Sequence, residues 1–501
     1  MPKSIDEPVY ANSRFERTFA RLIKDNLIFP QALLDSLEGV KGYNRETFEA
    51  VHQSGEQVTS IRLNPLRTGN RQPVTSTHDS ELGTRNSELL TLNSRLPIPW
   101  TSHGYYLDER PSFTFDPAFH GGLYYVQEAS SMFLEQALKQ TTDLSKDIRL
   151  LDLCAAPGGK STLLQSLITP NSLLVSNDVI KTRAAILEEN LTKWGAVNTI
   201  VTNNDPAHFA RLENFFDVMV IDAPCSGSGL FRRDAAAIAE WSEQNVQLCS
   251  QRQQRILADS LAALKDGGVL IYSTCSYSRE EDEAIVDWLM EEFECESLPL
   301  QIQPGWGIIE TISEKKKGYG YRFFPDKVKG EGLFLACFRK QSNEGTAPRV
   351  PKKTKWQKVS KAEAEIINPW LKKEAAVQLW KQGDMIIAFP TSLEEALHIT
   401  AEHLYLRKAG TIIGKIAGNS LVPDHAFALS NLLSENIVAV TLKKEEALQY
   451  LRREEVKIPA TKTGWTLVKY DGIAIGWIKV LPNRINNYYP SAWRILKSGN
   501  N

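Results

Sequence analysis

Two cysteines, 50 residues apart, carry the clearest chemical signal in the chain. Cys225 lies in FDVMVIDAPCSGSGLFRRD (residues 216–234) and Cys275 in GGVLIYSTCSYSREE (residues 267–281). Each follows an apolar run of strand length, and each is followed by a polar turn. A lone buried cysteine is ordinarily a small hydrophobe. Two of them, delivered by separate strands to one sheet edge, are better explained as a site for nucleophilic and proton-transfer chemistry, in which the thiolate is the reactive form. Asp222, three residues before Cys225, adds a carboxylate at the same strand tip.

A third segment explains what such thiols would act beside. In IRLLDLCAAPGGKSTLLQSL (residues 148–167) an apolar run ends in a small-residue turn with Gly158 and Gly159, then enters an apolar-periodic helix. Strand, tight glycine turn and helix start bring a nucleotide-like ligand against backbone amides. The spacing is neither G-x-G-x-x-G nor G-x-x-x-x-G-K-[ST], so the turn is not one of the common phosphate loops. From Ile148 to about Lys340 strands alternate with helical runs, which predicts an α/β fold with a doubly wound parallel sheet. Ligands of such sheets sit beyond the carboxyl ends of the strands, where the glycine turn and both cysteines fall.

The elements around this core follow from length and composition. At 501 residues the chain is too long for one core. It divides into an N-terminal region (1–145), the α/β unit (146–340), a polar and basic linker (341–361) and a C-terminal region (362–501). The N-terminal region combines a helical pattern (Phe15, Phe19, Leu22, Ile23), a polar loop stretch from Thr68 to Glu88, and aromatics (Tyr105, Tyr106, Phe113, Phe115) of the density usual in cores. The C-terminal region has a helix through residues 443–455. Its two β-rich runs, GWTLVKY and IAIGWIKV, are joined by Asp471-Gly472, a hairpin signal. The six cysteines form no C-x-x-C pair, which argues against zinc and against a disulfide framework and favours a reducing cytoplasm. No apolar run is long enough to span a membrane, and neither a membrane nor a metal partner is expected.

CAAPGGK, DAPCSGSG and STCS, in this order, resemble the motifs of the Sun/Nop family of S-adenosylmethionine-dependent RNA cytosine-5 methyltransferases. IRLNPLR (residues 61–67) and GGLYYVQEASSM (residues 121–132) fit the same family, so the resemblance covers most of the first 340 residues. It implies a Rossmann-like class I methyltransferase sheet with an N-terminal RNA-binding region. The C-terminal end, closing on RINNYYPSAWRI (residues 484–495), is similar to the α+β PUA-like RNA-binding tail of bacterial members that modify small-subunit ribosomal RNA. Ribosomal RNA is therefore the expected partner, with transfer RNA, or an RNA-binding role without catalysis, as alternatives.

The resemblance also assigns roles. Cys275 is the nucleophile and Cys225 assists proton removal and product release. Asp222 faces the cytosine or the cofactor. On the residues alone, Lys160, which closes the glycine turn, pairs with a carboxylate, contacts the base or caps a helix. Cys154, Ala155, Ala156, Pro157, Gly158, Gly159 and Lys160 supply backbone to the methionine end of S-adenosylmethionine, with Cys154 a packing residue rather than a third catalyst. Asp178, about 20 residues beyond the glycines, suits the ribose hydroxyls. Arg183 anchors Asp178, and Asp205 is the adenine-side acid. The family often carries His where this chain has Asp326, and no role is transferred there. Methyltransferases acting on purine nitrogens favour an Asn/Asp-Pro-Pro-aromatic loop, and zinc deaminases need H-x-E with P-C-x-x-C. The chain has neither pattern. With a net charge of −2, RNA binding requires local basic surface. The candidates are Arg232 and Arg233, Lys315 to Lys317, and the cluster Lys352, Lys353, Lys355 and Lys358.

Overall fold

The computed structural model describes residues 29–68, 96–234, 236–341, 346–352, 354, 356–456 and 462–497. The helical pattern at Phe15 to Ile23, all but the first residue of the polar stretch 68–88, and Lys353 and Lys355 lie outside them.

The α/β unit is built on strands β1 (Arg149–Asp152), β2 (Leu173–Asn177), β3 (Thr199–Thr202), β4 (Phe216–Asp222) and β5 (Leu264–Thr274). They pair in parallel in the order β3-β2-β1-β4-β5. Alternate residues feed two cores. Leu151, Val175, Met219, Ile221 and Tyr272 pack on one face, while Leu150, Leu174, Val218, Val220 and Ile271 pack on the other. Burial on both faces is why these strands read as unbroken apolar runs rather than alternating ones. Strands β6 (Ile309–Ile312), β7 (Tyr319–Phe323) and β8 (Leu333–Lys340) extend the sheet antiparallel beyond β5, in the order β5-β8-β7-β6. The winding reverses between β1 and β4, and at that switch point the carboxyl ends of the strands open a crevice. Four helices matter for the site: α1 (Gly159–Gln165), α2 (Lys181–Trp194), α3 (Glu243–Ser260) and α4 (Glu283–Glu292).

The N-terminal region forms an antiparallel sheet of Leu96–Pro97, Gly104–Leu107, Thr59–Leu63 and Tyr124–Val126. Phe113 is buried in its core, while Tyr106 is buried in the core that Leu150 and Leu174 share. The chain's last sheet joins Ala439–Leu442, Gly464–Tyr470, Ile473–Leu481 and Arg484–Asn487. The hairpin at Asp471-Gly472 forms with both residues at positive φ, 47° and 78°, as a type I′ turn requires. Ile61, Leu63 and Tyr124 of the first region share one core with Leu442, Val468 and Ile475 of the last.

Composition hides a further connection. A five-stranded sheet (Gln357–Lys358, Val377–Gln382, Met385–Pro390, Thr411–Ala417, Ser420–Pro423) intervenes before the last one. The strand feeding it, β9 (Leu406–Ala409), pairs antiparallel with β3 and closes the open edge of the methyltransferase-like sheet. Trp380, Ile387, Phe389 and Leu397 pack into the same core as Leu151 and Val175. Within the segment read as a linker, Trp356 is buried and Gln357–Lys358 is a strand. Residue 340 therefore divides the sequence without dividing the hydrophobic core.

Candidate active site

The ends of β4 and β5 lie side by side, with Asp222 opposite Ser273 in register. That pairing brings Cys225 Sγ and Cys275 Sγ to 2.8 Å. Further contacts lace the two loops together: the Gly229 N–H donates to the Cys275 carbonyl at 2.8 Å, and the Tyr277 N–H to Ser228 Oγ at 2.9 Å. Gly229 has to be glycine, because a Cβ there would lie 2.8 Å from the Cys275 carbonyl oxygen and 2.6 Å from that of Gly332.

The electrostatics distinguish the two thiols. Cys225 is raised well above the usual thiol range by its hydrogen bond to Cys275, by burial, and by the nearby charges of Cys275 and Glu281. It is the sulfur that keeps its proton. Lys160 Nζ lies 2.8 Å from Asp222 Oδ2, so Lys160 has a carboxylate partner. Burial works against the Lys160 charge, and Asp222, Asp152 and Cys275 more than offset it, leaving its pKa raised. The other Asp222 oxygen accepts from Ser273 Oγ at 2.7 Å. A charged ammonium thus lies near Cys275, and a thiol raised above its usual range lies against its sulfur.

Across the switch point, the glycine turn is pinned by helix α2. Arg183 Nη2 donates to the Ala156 carbonyl and Asn190 Nδ2 to the Pro157 carbonyl, both at 2.8 Å. Gly158 sits at φ 114°, a conformation that side chains oppose, and a Cβ there would meet Leu187 at 3.2 Å. Asp178 is buried, with Oδ1 accepting from the Ile180 N–H at 2.9 Å and Oδ2 3.3 Å from Arg183. Exposed Val179 and Ile180 follow it, an apolar patch at the rim. Asp205 is exposed and spends Oδ1 on the Ala207 N–H at 3.0 Å, capping the next short helix. Cys154 is raised by burial and by Asp152, Asp222 and Asp178, in keeping with a packing residue.

Sequence reasoning missed three residues that organise this site. Asn177 donates to the carbonyls of Leu153 and Asn204 and accepts from Thr202 Oγ1 and the Asn204 N–H, tying together the ends of β1, β2 and β3. Arg62, from the N-terminal sheet, is buried beneath α1, donating to Gln127 and Thr162 and stacking on Trp194. Glu281 lies between the two cysteine loops. Asn177 reads as an ordinary strand-end residue and Glu281 as part of an acidic run. Only IRLNPLR marked Arg62.

One expectation is corrected. Arg232 does not offer basic surface to RNA, because it is buried in an ion pair with Glu331 at 3.1 Å and also donates to the Gly330 carbonyl. Its neighbour Arg233 is exposed, as are Lys315, Lys316, Lys317, Lys352 and Lys358. Asp326 is half-buried, accepting from Thr47 Oγ1 at 2.7 Å with Lys327 Nζ at 2.9 Å. It fastens the N-terminal helix Arg45–Gln53 to the α/β unit. Among the described residues there is no cluster fit to hold a metal, and no helix is long and apolar enough to cross a membrane.

A doubly wound sheet bearing a glycine turn, strand-end carboxylates and facing cysteines defines a methyltransferase. Residues 139–339 match the model of the 16S rRNA methyltransferase RsmB/F family. Residues 29–129 match the N-terminal domain of 16S rRNA methyltransferase RsmF, and residues 438–495 the methyltransferase RsmF PUA domain. The chain is 31% identical over 491 residues to ribosomal RNA small subunit methyltransferase F of Vibrio parahaemolyticus, covering 93% of this chain and 97% of that protein. The namesake from Aliivibrio fischeri is 28% identical, over 95% of this chain and 99% of that one. The solved structure of NSun6 from Pyrococcus horikoshii shares the fold, with a TM-score of 0.50 at 19% identity over 64% of this chain and all of that one. The chain belongs to the RsmB/F family of rRNA methyltransferases.

Proposed function

We propose that this enzyme methylates carbon 5 of a cytosine in small-subunit ribosomal RNA in the cytoplasm, through a covalent cysteine adduct, with S-adenosylmethionine as donor. The observation that carries this reading is the 2.8 Å approach of Cys225 and Cys275 beside the Lys160–Asp222 pair. Carbon 5 of cytosine is too weak a nucleophile to be alkylated directly. Addition of the Cys275 thiolate to carbon 6 breaks the ring's aromaticity and makes carbon 5 enamine-like. After methylation the carbon-5 proton must leave before Cys275 can be eliminated; Cys225, 2.8 Å from Cys275, serves that later step by first yielding its own proton to solvent, and its thiolate then takes the carbon-5 proton. Lys160 keeps positive charge near Cys275, and Asp222 holds Lys160 in place.

The residues present fit the methyl donor. Gly158 leaves the turn without a side chain, buried Asp178 is preset for ribose hydroxyls, and Val179 and Ile180 offer apolar surface to a base. Asp205 is the exposed acid at the end of β3. When bound, S-adenosylmethionine supplies an electrophilic methyl group on sulfur. The PUA domain and exposed basic residues such as Arg233 would hold RNA, a partner class that the names of the relatives also support.

Bisulfite sequencing of total RNA from cells with and without the protein tests the proposal. One protected cytosine in small-subunit RNA that disappears with the protein, and returns with wild type but not with Cys275→Ala, is the expected result. A position lost from transfer RNA instead would redirect the substrate. No loss at any cytosine would refute the activity.

A further inference from the structure

Glu281 is fully buried, yet among the described residues it has no ion pair with a lysine or arginine. An ionised carboxylate in that position is costly unless its oxygens are saturated with hydrogen bonds, and they are. Oε1 accepts from the Ser226 N–H at 2.8 Å and from Gln253 Nε2 at 3.1 Å. Oε2 accepts from Ser226 Oγ at 2.5 Å and from Ser276 Oγ at 2.6 Å. The donors are not scattered. Ser226 directly follows Cys225 and Ser276 directly follows Cys275, while Gln253 of α3 also donates to the carbonyl of Pro224, the residue before Cys225. Ser276 Oγ in turn accepts from the Ser278 N–H, and the Glu281 carbonyl accepts from Tyr272 Oη at 2.7 Å, fixing the carboxylate's own segment to β5.

From this geometry we infer that Glu281 is a positioning residue: its carboxylate clamps the loop after β4 to the loop after β5 and thereby sets the separation of the two reactive thiols. The inference rests on the proposed two-thiol reaction for its consequence, but not for its geometry. A carboxylate suits the task where an amide does not. It accepts four hydrogen bonds through two oxygens, whereas glutamine has one acceptor oxygen and turns an N–H2 toward hydroxyls that are already donating. Its negative charge also lies near Cys225 and helps that thiol keep its proton, while Cys275 sits beside Lys160. Distance matters most for the late proton removal, which needs Cys225 close to a ring already bonded to Cys275.

The test uses the full-length enzyme and two readouts. In the first, diamide takes two electrons and two protons from Cys225 and Cys275 to give an intramolecular disulfide and the reduced hydrazine, and peptide mass mapping follows the cross-link. The Glu281→Gln variant should cross-link about tenfold more slowly than wild type, because at least one anchoring hydrogen bond per loop is lost. Ser276→Ala should fall between them. In the second, single-turnover reactions with small-subunit RNA should show adduct formation within a few-fold of wild type, and steady-state reactions KM for both substrates likewise, with kcat reduced through slow release. A merely structural role would not shift that partition. If Glu281→Gln fails to melt cooperatively, a Ser226→Ala/Ser276→Ala double variant carries the same comparison. Wild-type cross-linking and wild-type kcat in these variants would overturn the inference. Methylation without any adduct would sink the thiolate reaction instead, while the cross-linking rates would still decide whether Glu281 sets the thiol distance.

Discussion

Replacing Cys225 with alanine should separate the early chemistry from the late. The sulfur of Cys225 is 2.8 Å from that of Cys275, and Cys225 holds its proton. Before attack, its loss removes one hydrogen bond to the nucleophile, worth about 1 kcal/mol, so adduct formation should slow by roughly tenfold or less. After methylation, its loss removes the group that assists proton abstraction, a contribution of about 10²–10⁴ in rate. The second factor exceeds the first, so the variant should fill up with covalent protein–RNA complex. Quenched time courses on denaturing gels, with RNA and protein labelled separately, measure both rates. Cys275→Ala should give neither adduct nor product. An adduct trapped by Cys275→Ala and absent from Cys225→Ala would exchange the two roles. Methylation by both variants without an adduct would refute the thiolate reasoning.

Other perturbations have outcomes set by the same geometry. Asp178→Ala should weaken S-adenosylmethionine binding by about 1.5–3 kcal/mol in a calorimetric titration, the range for hydrogen bonds to a charged group. Arg183→Ala, whose side chain is 47% exposed, should cost less than about 1 kcal/mol. Arg233→Ala should reduce the salt dependence of RNA binding, measured by filter binding over a salt series, by up to about one counterion without changing Tm. Arg232→Met should do the reverse, lowering unfolding stability by about 3–5 kcal/mol because Glu331 is left buried and unpaired. Asp152 is buried, and loss of hydration pushes its carboxyl up to about 7. Its folded pKa exceeds its unfolded one, so its support for the fold is complete only below the unfolded value of 3.8 and is lost as pH rises through 7. Asp152→Asn should therefore melt higher than wild type, by a margin that grows between about pH 4 and pH 7 and then levels off. Truncation after residue 361 should abolish cofactor binding and cause aggregation visible by light scattering, because it strips β9 from β3 and uncovers the core that Trp380 and Phe389 fill.

The legible parts of the molecule were those in which local sequence and burial coincide. Strands β1, β2 and β4 are enclosed on both faces, so each wrote itself as an apolar run, and the residue that ends the run is the residue at the crevice. The Asp-Gly turn was legible because left-handed backbone restricts which residues can occupy it. Glu281 was not, since SREED reads as a solvated acidic run, yet the fold buries both Glu281 and Asp282. Arg232 failed in the opposite direction, because adjacent arginines look alike until Glu331, 99 residues away, claims one of them. Residues of β9 carry Arg and Lys, as edge strands do, and nothing in a polar run announces that it will close another unit's sheet.

That closure changes how the C-terminal region is understood. The Asn204 side-chain amide donates to the carbonyl of Tyr405, directly before β9, and accepts from its N–H, both at 3.0 Å, and Asn203 Nδ2 donates to the carbonyl of Asp178 at 2.7 Å. The path from the C-terminal sheets to the carboxylate proposed to hold the ribose is thus a short chain of hydrogen bonds rather than a flexible tether. The last sheet shares its core with the N-terminal one, whose Arg62 reaches beneath the glycine turn. Both flanking regions therefore contact the elements that carry the crevice.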